Sequence, residues 1–260
     1  MADLVAIGLR ALSFVVVLQA AGVPLFLWLF GDDLRRSARP IAALAGRTAV
    51  IGLLLTIAHQ IIEPARLAGG LRGIFDGPLQ ATLLGSEVGT TTSVRVLGLA
   101  LVALGWLKSS RLGTAAALAG GTLIVVSFAF MGHTATHDVR WLLASLLILH
   151  LLIIAFWFGG LWPLYLASRH EELVTSGLII ERFSRFAVRL VPALFVGKIE
   201  IGHGIVQTTH TSSWFFMLAR AFQGFFLFFR VYVRNSNGIR NLSAHLFQII
   251  SRKLYINSSE

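Results

Sequence analysis

Cysteine is absent from all 260 residues. That excludes disulfides and thiolate metal sites, so any metal chemistry must draw on His, Met, Asp or Glu. Charge is scarce too: charged residues make up 13% of the chain, against roughly 25% in a soluble domain. No HExxH protease motif occurs, and no nucleophile–base–orienter set stands out. The glycine pair at 159–160 lies inside an apolar run, without the strand–turn–helix setting of a phosphate loop. The chain is therefore not expected to be an enzyme.

What it has instead is apolar length. Hydrophobic residues make up 56% of the sequence, in recurring runs of about 20, enough to cross roughly 30 Å of hydrocarbon. The expected fold is an all-α polytopic transmembrane bundle of about six or seven helices. The opening run carries Asp3 rather than a basic cluster and is longer than a signal peptide's apolar region, so it reads as a retained first helix. Helices are expected at about Leu4–Phe30, Pro40–Ile62, Ser93–Leu107, Thr114–Met131 and Trp141–Tyr165. A sixth begins after ERFSRFAV (181–188), and WFFMLARAFQGFFLFFRVYV (214–233) forms a seventh. Between the second and third lies a long connection with Gly and Pro punctuation and a short interfacial helix.

The net charge of +10 does not point to nucleic acid, because the arginines are spread over short connections between apolar runs. That pattern suits membrane orientation and anionic headgroups. Arg35, Arg36 and Arg39 lie in the first connection, Lys108 and Arg111 in the third, and Arg169, Arg182 and Arg185 in the fifth. The positive-inside rule then puts the odd-numbered connections in the cytoplasm and the N-terminus outside.

Four histidines become candidates for metal. His59 and Glu63 are four apart, on one helical face just before Pro64, which should end the helix. His133 and His137 in MGHTATH are also four apart, beside Met131, whose thioether favours copper(I). All three histidines fall on the outer side. His150 lies about ten residues into the fifth helix, roughly 15 Å deep, where an ionisable group is a functional candidate by default. It shares a face with Trp157, seven residues on. In FWFGGLWPL (156–164), Gly159 and Gly160 suit close helix packing.

Composition changes near residue 197. Asparagine first appears at 235, alanine thins out after Ala193, and Lys198, Glu200 and His203 interrupt an expected apolar helix. Each charge at a bilayer centre costs on the order of 3 kcal/mol. We divide the chain into a transmembrane domain, 1–196, and a divergent segment, 197–260, read as a frameshifted or truncated membrane region. The same frame in the genomic sequence of close relatives would overturn that reading.

GH at 132–133, HLLIIAFWFGGLWPL from His150 and ERFSRFAV at 181–188 together resemble the copper resistance protein D family, as does FDGPLQATLLGSEVGTTTSVRVLGLAL (75–101). The likeness covers about residues 1–196. It implies a multi-pass protein of the bacterial inner membrane that moves copper from periplasm to cytoplasm, usually beside a periplasmic copper-binding partner of the copper resistance C type. His133 and His150 match positions within the family motif, whereas His59 and His137 are added from spacing alone. Beyond RFS the family continues with strongly apolar helices, and here KIEIGHGIVQTTHTSSW departs from that pattern.

Copper import through His59, His133, His137 and His150 is thus the leading expectation. Neutral imidazoles are needed, so uptake should weaken as pH falls through about 6.5. The alternative is a haem b electron-transfer bundle, with His59, His133 and His150 as axial ligands. A third is a scaffold that only docks partners, which predicts that replacing these histidines leaves function intact.

Overall fold

The computed structural model describes residues 2–107, 110–130 and 140–204. Seven α-helices account for nearly all of them: α1 (Ala2–Phe30), α2 (Ala38–Leu67), α3 (Gly77–Leu84), α4 (Glu87–Leu107), α5 (Arg111–Val126), α6 (Arg140–His170) and α7 (Leu173–Gly204). Short 3-10 turns follow α1, α2 and α5. Among the described residues, five helices are long and apolar enough to span a membrane: α1, α2, α4, α5 and α6.

The bundle is built around α1, which packs against α2, α4, α5 and α6. Its second half, from Val17 to Phe30, supplies much of the buried core. Lipid is as apolar as the helices, so no hydrophobic force separates core from surface, and close packing must hold the helices together. Leu54, Leu97, Leu104 and Trp162 accordingly stay exposed to the surroundings. Small residues mark the contacts. A Cβ built on Gly98 would sit 2.7 Å from the Gly120 carbonyl oxygen, so α4 and α5 touch backbone to backbone. A Cβ on Gly22 would meet the Gly159 Cα at 2.7 Å, and the Gln19 amide donates to the Gly159 carbonyl at 3.1 Å. Gly159 is thus the seat of α1 on α6, while Gly160 faces Phe183 of α7.

The ends of the bundle follow from its antiparallel pairs. Gln60 meets Thr92 and Arg95 meets Ser127, so the end of α2, the start of α4 and the end of α5 share one end. We call it the outer end, following the charge bias. At the inner end the α1–α2 connection is tied to the α6–α7 turn. Glu171 accepts hydrogen bonds from the Ser37 hydroxyl (2.6 Å) and from the amides of Ser37 (2.8 Å) and Arg36 (2.9 Å), which caps the start of α2. Arg182 pairs with Asp33 at 2.8 Å and lies over the Phe30 ring.

Several expected boundaries move. Pro64 does not end α2, which runs on to Leu67. The proline sits in the last turn, where few later hydrogen bonds depend on it, and the Ala68 amide still donates to its carbonyl at 2.9 Å. α4 begins six residues before the expected Ser93, at Glu87. α6 runs on past Pro163 to His170, and the segment ERFSRFAV lies inside α7 rather than before a helix. Its charges at Glu181, Arg182 and Arg185 hide an apolar face of Ile179, Phe183 and Ala187 that is buried against the bundle. The interfacial helix in the long connection is α3, capped by Asp76. α7 continues as helix across the 196–197 boundary to Gly204. The expected seventh segment, 214–233, lies outside the described residues.

Candidate functional site

A hydropathy profile reads α2 as a uniform span, yet its outer half carries Thr56, His59, Gln60 and Glu63 at helical spacing. All four line one stripe, and Thr56, Gln60 and Glu63 are buried. α4 meets this stripe through Thr92, and its Arg95 turns to the end of α5. His59 and Arg95 each lie eight residues from the outer end of their helix, about 12 Å along it, so they come to similar depth.

The contacts are specific. Glu63 is a shared carboxylate: its Oε1 accepts from the Arg66 Nε at 3.0 Å, while Oε2 lies 3.8 Å from the His59 Nε2. The longer separation is an electrostatic contact, not a hydrogen bond. Thr92 donates to the Gln60 Oε1 at 2.9 Å. The Arg95 guanidinium donates to the Ser127 hydroxyl at 3.1 Å and rests 4.2 Å above the Phe128 ring. Arg10, on α1, is near enough to act electrostatically on both His59 and Arg95. By contact, Arg66 engages Glu63 on its own helix, and Arg95 engages Ser127 and Phe128 at the end of α5.

The donor set around His59 is hard and cationic apart from the imidazole and Glu63, whereas copper prefers imidazole and thioether ligands. Among the described residues, no group of three or more His, Asp or Glu side chains could hold a metal ion. His59 can serve as one ligand, with the Glu63 carboxylate 3.8 Å from its Nε2. His150 is half-buried on α6, as expected about 15 Å from the outer end, and engages a neighbouring group. His133, His137 and Met131 lie outside the described residues. A complete copper site would have to draw on them.

Three seam residues escape a reading of the sequence. Arg95 falls at the edge of a helix that starts at Ser93, and only the true start at Glu87 carries it inward. Gln60 and Arg10 belong to no motif. The available signal is the polar stripe at positions 56, 59, 60 and 63 within an otherwise apolar span.

A family profile described as the copper resistance protein D-like N-terminal domain matches residues 1–140, just over half of the chain. The match includes His59, His133 and His137, and stops before His150 and the FWFGGLWPL segment. No curated protein and no solved structure matches the chain.

Proposed function

This chain belongs to the copper resistance protein D-like family, and we propose that it imports copper across the bacterial inner membrane, from periplasm to cytoplasm. The family match carries this reading. Support comes from the five apolar spans and from His59, which stands at the outer end of α2 in a polar seam rather than against lipid. Copper is the cargo. His59, His133 and His137 receive it at the outer face, and His150 offers a deeper station. Transfer is by ligand exchange between imidazoles, with no bond-making catalysis and hence no enzymatic role. A periplasmic protein of the copper resistance C type delivers the ion.

The test is an absorption spectrum and metal analysis on detergent-purified protein, beside a His133→Ala, His150→Ala double variant. Bound copper without a Soret band, lost in the variant, is the expected result. A Soret band lost in the variant would replace copper import with haem b electron transfer. Copper retained in the variant would remove both histidines from the site. Cellular copper uptake should also fall between neutral and mildly acidic pH, since imidazoles must be neutral to bind metal; a flat profile would count against histidine ligation.

A further inference from the structure

The connection between α2 and α4 does not stand clear of the bundle. Gly69, at a φ of 71°, reverses the chain after α2, and the Gly70 amide closes the turn on the Ala65 carbonyl at 3.0 Å. The 3-10 turn Leu71–Phe75 then runs back along the helix it has just left, where a Cβ on Gly73 would sit 2.6 Å from the Pro64 carbonyl oxygen. Further on, the Gln80 amide of α3 donates to the carbonyls of Ile61 (3.4 Å) and Ile74 (3.3 Å). The chain meets Pro64 and then Ile61, so it descends beside α2 toward the membrane.

The depth of that contact follows from helix length. α2 has 30 residues, about 45 Å, against roughly 30 Å of hydrocarbon. With the bilayer centred on α2, Ile61 lies about 13 Å from the midplane, near the hydrocarbon edge, and Leu67 about 22 Å, among the headgroups. Ile57 and Ile61 are exposed four residues apart, on the lipid-facing side of the helix. α3 is thus fastened where that side reaches the bilayer boundary.

The connection exposes large apolar groups around this level. Phe75 is 88% exposed, Leu71 69% and Leu84 57%. Between Leu67 and Gly85 the only charges are Arg72 and Asp76, and the Asp76 carboxylate is occupied as the α3 cap, accepting from the Leu79 amide at 3.0 Å. The ties to Pro64 and Ile61 hold the connection in place, so its apolar side chains gain by leaving water for whatever lies beside them. At this depth that is the acyl-chain edge of a leaflet.

We propose that the turn Leu71–Phe75 and α3 form an interfacial collar, with Leu71, Phe75 and Leu84 inserted into the acyl-chain edge of the leaflet at the outer end. The occupant is lipid, not a second copy or a separate protein, because the collar is fastened to the lipid-facing surface of α2 at Ile61. Anchored in this way, it sets how deep the outer half of α2 sits. His59, two residues before Ile61, is held about 3 Å further in, within reach of an ion arriving from outside. That consequence rests on the copper reading; the lipid contact does not, and its test uses no copper.

The cysteine-free chain accepts single spin labels. Phe75→Cys, labelled and reconstituted into vesicles of phosphatidylcholine and phosphatidylglycerol, is read by collision with oxygen, which concentrates in acyl chains, and with a nickel chelate, which stays in water. Leu54→Cys, exposed at mid-span of α2, is the lipid reference, and Arg36→Cys, exposed at the inner end, the water reference. The oxygen-to-nickel ratio at position 75 should be at least about fivefold above the Arg36 reference and below that of Leu54, as for a group at the hydrocarbon edge. Leu71→Cys and Leu84→Cys should rank the same way, and they carry the test if Phe75→Cys does not fold. A ratio equal to the Arg36 reference means that the ring faces water, and overturns the proposal. So does a label shielded from both reagents, which would mark a protein surface covering it.

Discussion

Toward the inner end, α1, α6 and α7 meet through phenylalanine rings and bare glycine backbone. At the outer end, α2 and α4 meet through threonine, glutamine and arginine side chains. Phe183 of α7 stacks on Phe156 at 5.0 Å and packs against Phe26 and Phe30, while its ring fills the space that a Cβ on Gly160 would need. Beside these rings lies an apolar groove lined by Leu25, Leu29, Phe156 and Phe186. At the outer seam the buried polar groups are joined by directed contacts, Thr92 to Gln60 and Arg66 to Glu63. Contact by shape holds the inner end together, whereas directed polar contacts join the outer end.

The largest expected effect is at the tight contact. Gly159→Leu should cost about 3 kcal/mol or prevent assembly, because the new side chain meets the backbone of Gly22 and Val23. Unfolding in detergent, followed by helical circular dichroism, checks it; near-wild-type stability would mean that α1 and α6 do not pack as described. Phe183→Ala should cost about 2 kcal/mol, below the usual cavity penalty because lipid removes most of the transfer term. The same unfolding assay decides, and a loss under half that size would detach α7 from the core.

At the outer end the expected effects are smaller and of a different kind. Glu63→Gln removes the carboxylate that Arg66 grips, and should cost about 1 kcal/mol, reduced from the buried-pair range by water reaching the guanidinium. Detergent unfolding checks it, and an unchanged midpoint would mean that the Arg66–Glu63 pair adds nothing to the fold.

The inner-end clamp gives a pH dependence. Partial burial pushes the Glu171 carboxyl up, but hydrogen bonds from the Ser37 hydroxyl and from the Ser37 and Arg36 amides outweigh it and hold the group below its ordinary 4.5. A carboxyl depressed on folding stabilises the folded state fully above its ordinary value. That stability disappears as pH falls through the lower folded value. Detergent unfolding between neutral pH and about pH 3 should therefore show an acid loss that Glu171→Gln removes; an unchanged acid limb would separate Glu171 from it. Arg36→Gln should change stability least, by under about 0.5 kcal/mol, since its pair with Glu172 is exposed on both sides. A larger drop in the unfolding midpoint would assign Arg36 a role beyond that pair.

The helices and their rough spans are legible in the sequence because a run of about 20 apolar residues matches the thickness of a bilayer and exceeds most buried soluble helices. Their ends are less so. Pro64 reads as a stop, but a proline in a last turn interrupts little. ERFSRFAV reads as a connection because charge at every third or fourth position lowers hydropathy without breaking a helix. His59 beside Glu63 is legible from spacing of four, which always places two residues on one face. Arg95, Gln60 and Arg10 are not, because they come from three helices and no spacing in one helix shows which neighbour it will face.

The sequence by itself determined that this protein is helical and membrane-spanning, without thiol chemistry, and related to copper resistance proteins. Those properties depend on composition, run length and local pattern, which survive whatever the helices do next. Only the tertiary structure decided which face of each helix turns inward. In lipid the core face and the outward face are equally apolar, so rotation about the helix axis leaves little trace in hydropathy. It is fixed by where backbones can touch, at Gly22 and Gly159 or at Gly98 and Gly120. With the helices so turned, Gln60 of α2 meets Thr92 of α4, and Arg95 meets Ser127 at the end of α5.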